Sequence, residues 1–180
     1  MEDIALSRAS KLIIGSVLVL VVLVAALFVP VEFGATRIVS EADIAKPPAD
    51  VYAYVTTPGH WPEWHPSSLA VRGAVDHSLA VGETVEEDFS VAGRTGRVTW
   101  QVAAREPDRY WRIDGTIGGR KAGTVSYTLK PGAGGTHFVR EFEYGSPNLL
   151  FELLNRWRIR QQVEEESRTA VQRLKQRLEG

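Results

Sequence analysis

Residues Gly123–Tyr144 read GTVSYTLKPGAGGTHFVREFEY, and their pattern decides the fold. Val125, Tyr127 and Leu129 share one face of the first run; Phe138, Phe142 and Tyr144 share one face of the second. Period-two alternation predicts two half-buried strands. Pro131-Gly132 and Gly134-Gly135 lie between them, and so short a connection joins antiparallel neighbours. The same pattern repeats upstream. Thr84–Val91 (TVEEDFSV), Arg97–Ala103 (RVTWQVA) and Tyr110–Ile117 (YWRIDGTI) read as strands, punctuated by Gly93, Gly96, Pro107-Asp108 and Gly118-Gly119. Together they predict an antiparallel meander.

The flanks are helical. Before the meander, Thr36–Ile44 alternates weakly, is rich in β-branched residues and predicts a first strand, stopped by Pro47-Pro48. Pro48 suits the first turn of a short helix through Val55, and Asp50 favours its N-terminus. His60–Pro66, with two prolines and no period, predicts an ordered loop rather than an element. After the meander, 147–178 has no internal Gly or Pro, and Ser146 and Pro147 suit a cap and a first helical position. Leu150, Leu153, Leu154, Trp157, Val163, Ala170, Val171, Leu174 and Leu178 recur at helical spacing and predict one long amphipathic helix. The expected class is α+β: a strand and short helices, then an antiparallel meander, then one long C-terminal helix.

Leu12–Val29 (LIIGSVLVLVVLVAALFV) carries no charge. At roughly 1.5 Å per residue such a helix nearly covers a hydrocarbon core of about 30 Å. It predicts a single-pass anchor over 12–30, preceded by a tail at 1–11 and followed by a linker at 31–36 and one domain at 37–180. A cleaved signal peptide is the rival, although the small residues Ala25-Ala26 lie inside the apolar run and not after it. A buried soluble helix is the third reading and fits poorly, because the run has no polar face. Arg8 and Lys11 in front are balanced by Arg37 and Lys46 behind, so the flanks leave orientation open. The shorter, closer basic pair favours an N-terminus in the cytoplasm of a cell-membrane protein, with the domain outside.

Composition excludes several classes. The 21 basic and 22 acidic residues give a net charge of −1, so no global field attracts nucleic acid. The absence of cysteine rules out disulfides, thiol catalysis and Cys-ligated zinc. The four histidines (60, 65, 77 and 137) show no ligand-like spacing, and no phosphate-loop or dinucleotide fingerprint occurs. Neither a metal nor a cofactor is expected.

Three features carry a resemblance. Ile44–Val55 (IAKPPADVYAYV) has the strand, proline and aromatic helix opening; Pro58–Pro66 (PGHWPEWHP) is a double-tryptophan loop; and Val81-Gly82-Glu83-Thr84 and Gly134-Gly135-Thr136 precede strands. In this order, closed by the long helix, they resemble the SRPBCC or START-like helix-grip superfamily, most closely its polyketide cyclase/dehydrase and lipid-transport branch. The hydrophobic N-terminal run is not part of that pattern. The resemblance implies the helix-grip fold, a curved antiparallel sheet wrapped around the long C-terminal helix, with a cavity between them that holds a hydrophobic small molecule, lipid-like or polyketide-like. The rival is a cyclase/dehydrase-type enzyme, as some family members are, and a third reading is a protein-interaction module whose cavity is filled.

The candidate ligand-binding residues are Trp61, Trp64, His65, Glu87, Phe89, Trp100, Trp111, Tyr127, Phe138, Arg140, Phe142, Leu153 and Trp157. Trp61 and Trp64 either line the cavity or lock their loop to the sheet. His65 is the candidate acid–base group. Arg140 shares strand parity with Phe138 and Phe142; if that face is inward it needs a carboxylate, which Glu87 can supply, and otherwise it reaches solvent at a sheet edge. Arg156, Arg158 and Arg160 around Trp157 suit either anionic head groups or plain solvation. No acid–base pair or nucleophile stands out, which favours binding or transfer over catalysis; oligomeric state and ligand identity are left open.

Overall fold

The computed structural model describes residues 7–31 and 33–180; the first six residues of the expected tail and Glu32 of the expected linker lie outside it. Helix α1 (Arg8–Leu27) is capped by the Ser7 side chain, which accepts from Ser10 N–H, and none of it is buried. It therefore cannot be the core helix of a soluble domain. Its mean hydropathy of 2.6 and its length are those of a membrane-crossing helix or a signal sequence.

The domain begins with β1 (Thr36–Ile44) and α2 (Pro48–Val55), both with the expected bounds. The segment expected as a loop is instead helical: a 3-10 turn at Pro58–His60 runs into a short helix, α3 (Trp61–Trp64). Each proline occupies an early position of its turn, where no N–H is needed. Six strands follow: β2 (Ser68–Gly73), β3 (Thr84–Val91), β4 (Arg94–Glu106), β5 (Tyr110–Ile117), β6 (Arg120–Gly132) and β7 (Gly135–Tyr144). All seven strands form one antiparallel sheet in the order β1-β7-β6-β5-β4-β3-β2.

β2 is the strand whose bounds the sequence leaves unmarked; it is a short edge strand whose register slips between Ser68 and Ala70. Gly96 sits inside β4 and not in a turn. A Cβ there would lie 2.8 Å from the Phe89 ring, so the missing side chain makes room for that aromatic across the pair. Gly115 does the same for Trp100, at 2.5 Å.

The C-terminal helix is not one regular helix. Asn148, rather than Ser146, is the cap, its side chain accepting from Phe151 N–H at 2.8 Å. Helix α4 (Leu149–Leu154) passes through a π-helical turn at Asn155–Ile159 into α5 (Arg160–Glu179). Buried Asn155 holds that turn: it accepts from the Tyr144 hydroxyl at 2.7 Å and donates to Thr36 Oγ1 at 2.8 Å. Val163, Ser167, Ala170, Val171 and Leu174 form the buried stripe of α5. Ala170, Val171 and Leu174 join Val51, Trp61, Trp64, Trp111 and Phe138 in the main core; Ile38, Tyr144 and Val163 form a smaller one.

Candidate functional site

Between the concave face of the sheet and α5 lies an open cavity of about 930 Å³. That is at the upper end of the usual size range of ligand pockets, about 300–1,000 Å³. The wall follows from strand parity. Glu87 and Phe89 project from β3, Val98 and Trp100 from β4, Ile113 from β5, Val125 and Tyr127 from β6, and Arg140 and Phe142 from β7. Trp61, Trp64 and His65 close one side; Val163 and Ser167 of α5 close another. Phe33, Ala35, Pro147 and Phe151 contribute at the end of the cavity nearest α1. The cavity is thus not filled by side chains, as the interaction-module alternative requires.

Most of the sequence candidates meet there, but four do not. Trp111 and Phe138 are fully buried behind Tyr127, with ring centroids 5.4 and 5.3 Å from it, and belong to the packed floor. Their parity is right, but at their level of the sheet the space is already taken by core side chains. Leu153 and Trp157 point outward, Trp157 being 72% exposed. Trp157 stands six residues before Val163, about 120° away round even a regular helix, and the π turn adds a further phase shift, so Ile159 rather than Trp157 reaches the cavity. Trp61 and Trp64 serve both roles considered for them. Each is buried, Trp61 Nε1 ties α3 to Val55 O at 2.9 Å, and both line the cavity. Ser167 and Glu166 went unmarked; the only sequence signal for Ser167 was a hydroxyl on an otherwise apolar stripe.

The polar groups of the wall differ from expectation in one important respect. Arg140 is not at a sheet edge, because β7 is flanked by β1 and β6, and it is 5% exposed. The expected Arg140–Glu87 ion pair is absent. Arg140 Nη1 donates to Ser167 Oγ at 3.0 Å, its guanidinium lies 5.6 Å from the centre of the Phe142 ring, and its Nε has no partner. Glu87 instead accepts from Trp100 Nε1 at 2.6 Å, and burial pushes its carboxyl above the ordinary carboxylate range. Burial holds the Tyr127 hydroxyl neutral, pushed up to about 12. Burial, reinforced by the Arg140 charge, holds His65 well below its ordinary range and so uncharged. His65 Nδ1 accepts from Ser67 N–H at 3.3 Å, which leaves the ring proton on Nε2, sealed from solvent and partnerless.

His60 is not part of this site. It stacks on Tyr54 at 4.3 Å and bonds Glu63, which also accepts from Arg177 and Tyr54. This cluster fastens α3 to α2 and α5. Among the described residues no three histidine or acidic side chains gather as a metal site needs.

The sequence profile of the polyketide cyclase/dehydrase and lipid-transport family matches residues 35–179, all but the N-terminal segment with its apolar helix and the final residue. The chain belongs to this family. No curated protein matches it by sequence. Solved structures similar to it include protein MLL2253 from Mesorhizobium loti, at 21% identity and a TM-score of 0.59, covering 80% of this chain and 97% of that one. Ms6760 from Mycobacterium smegmatis has 18% identity and a TM-score of 0.58, with 83% and 98% covered. DynU16, a protein of the dynemicin biosynthetic locus, has 17% identity and a TM-score of 0.58, covering 79% of this chain and 47% of that one. At these identities the likeness carries the helix-grip fold alone. As a polyketide cyclase/dehydrase and lipid-transport family member, the chain has a ligand-binding SRPBCC domain built around the cavity described above.

Proposed function

We propose that this protein is a membrane-tethered binding protein that takes a lipid-like molecule from, or delivers it to, the bilayer holding it. One observation carries this reading: the apolar cavity reaches the chain segment that follows the hydrophobic helix. Phe33 and Ala35 lie a few residues beyond α1 and help line the cavity, and Pro30 bridges to Asn148 at the start of α4. A ligand leaving the bilayer beside α1 then has a short path to Phe89, Trp100 and Phe142. The outer face of α4 and the π turn adds support. Leu153, Leu154 and Trp157 are exposed there beside Arg156 and Arg158, a composition that rests well at a lipid interface. Arg156 is partly neutralised by Glu152 and Arg160 by Glu164, which leaves Arg158 as the cation of this face without an ion pair among the described residues.

Two measurements test the tether and the transfer. Alkaline extraction of membranes should leave the full chain in the pellet, whereas Leu20→Arg with Val21→Arg should release it; release of the unaltered chain would remove the tether. Movement of a fluorescent lipid between donor and acceptor vesicles should be faster with the chain present. Unchanged transfer would restrict the protein to binding. Protease treatment of intact and lysed cells reports the side: digestion only after lysis would contradict an outward-facing domain.

A further inference from the structure

The inward face of β7 carries one charged residue, Arg140, among Thr136, Phe138, Phe142 and Tyr144. A buried cation is costly unless it is paired. Among the described residues no carboxylate lies within ion-pair distance of Arg140. Glu87 is held by Trp100, and Glu166 is occupied by the Ser67 hydroxyl at 2.8 Å and by Ala92 N–H at 2.9 Å. Ser167 supplies a neutral acceptor for one nitrogen, while Nε is left without one. On the same wall His65 Nε2–H is a second sealed donor without an acceptor, close enough to feel the Arg140 charge. The cavity wall therefore holds a positive charge with no carboxylate within ion-pair distance, and just beneath that wall lie two N–H groups, Arg140 Nε and His65 Nε2, without acceptors.

We propose that the ligand is an anionic amphiphile, whose terminal oxyanion pairs with the Arg140 guanidinium where that residue lines the cavity, while its apolar body lies against Phe89, Trp100 and Phe142. This rests on the hydrophobic-ligand reading above and names the head-group chemistry that reading leaves open. A carboxylate and a phosphate ester both fit the donors. The geometry selects against cationic amphiphiles, which would place a second positive charge beside Arg140, and gives a neutral alcohol a hydrogen bond from a charged donor but no ion pair.

The test uses the full chain in phosphatidylcholine nanodiscs, with empty nanodiscs as the reference. The probes are dodecanoate, dodecyl phosphate, dodecanol and dodecyltrimethylammonium, titrated calorimetrically. At least one of the two anions should bind tenfold or more tightly than dodecanol, about 1.4 kcal/mol; which anion does so separates a carboxylate source from a phosphate source. In Arg140→Met the anion should lose that advantage while dodecanol still binds, which shows that the cavity remains folded. Arg140→Lys should retain part of the preference. Dodecanol binding as tightly as both anions would overturn the head-group assignment and leave the hydrophobic-cavity reading standing. An anion preference that survives in Arg140→Met would remove Arg140 as its anchor. Binding of none of the four probes would overturn both readings.

Discussion

Replacing Arg140 by methionine should stabilise the ligand-free protein, the reverse of the usual result for a buried residue. The wild-type guanidinium is 5% exposed, has one neutral hydrogen bond at 3.0 Å and lacks both an ion-pair partner and an acceptor for Nε. Buried ion pairs and triads exchanged for well-packed apolar side chains are often neutral or gain about 1–4 kcal/mol, and a buried charge without an ion-pair partner has less attraction to lose. Against this stand the lost Ser167 bond, roughly 0.5–1.5 kcal/mol, and the lost contact with Phe142, of order 1 kcal/mol. The expected net is a gain of about 1 kcal/mol, or a rise in Tm of some 2–4 °C for a domain of this size. Adding Ser167→Ala removes the orphaned hydroxyl and should raise the gain further. The assay is thermal unfolding of the full chain in nanodiscs after delipidation, compared among wild type, Arg140→Met and the double variant. Loss of more than about 2 kcal/mol in Arg140→Met would mean that the guanidinium is satisfied within the protein, and the argument for a missing anion would fail.

Other expectations follow from neighbouring groups. Glu87 has a folded-state value raised above its ordinary 4.5, so it favours the folded state while protonated, and that benefit is lost as pH rises past 4.5 through the folded value. Urea titrations should therefore show wild type losing stability relative to Glu87→Gln over that window; a constant difference would refute it. Glu63 is pushed down to about 2, first by the hydrogen bond from His60 and then by those from Arg177 and Tyr54. Its contribution is present above 4.5 and lost as pH falls through about 2, so Glu63→Gln should cost up to about 1 kcal/mol at pH 7 and progressively less as pH falls below 4.5. Gly115→Val should cost about 1–3 kcal/mol by overpacking, because its Cβ would lie 2.5 Å from Trp100. A shifted tryptophan emission and weaker ligand binding should accompany the loss; an unchanged spectrum would show that Trp100 has room to move.

Much of this fold can be read from periodicity alone. The alternation of Val125, Tyr127 and Leu129 against Phe138, Phe142 and Tyr144 gives both strands and their inward faces, because the side-chain period of a strand survives any global context. The same parity places Arg140 and Glu87 on cavity walls. It does not show whether they touch: they stand on β7 and β3, with three strands between them, and only the curvature of the sheet fixes the gap. Leu153 and Trp157 face elsewhere because the apolar residues before Asn155 and those of α5 lie on different faces even at a constant phase of about 100° per residue, and the π turn that Asn155 holds through Tyr144 and Thr36, which nothing local announces, adds to that offset. Gly96 and Gly115 read as turn punctuation or as nothing in particular, whereas their role is to admit aromatic rings across strands. His65 looked like an acid–base candidate from its residue type. The structure makes it a neutral donor, a property set by burial and by Arg140 rather than by its sequence neighbours.

The central claim is that the cavity of this helix-grip domain holds a lipid-like molecule. Native mass spectrometry of the full chain, purified from membranes in a mild non-ionic detergent, tests it most directly. The account predicts one co-purifying amphiphile per chain, with a long apolar body, that is lost on denaturation. A chain that carries no such molecule, and takes up none when dodecanoate, dodecyl phosphate and dodecanol are supplied, would contradict it.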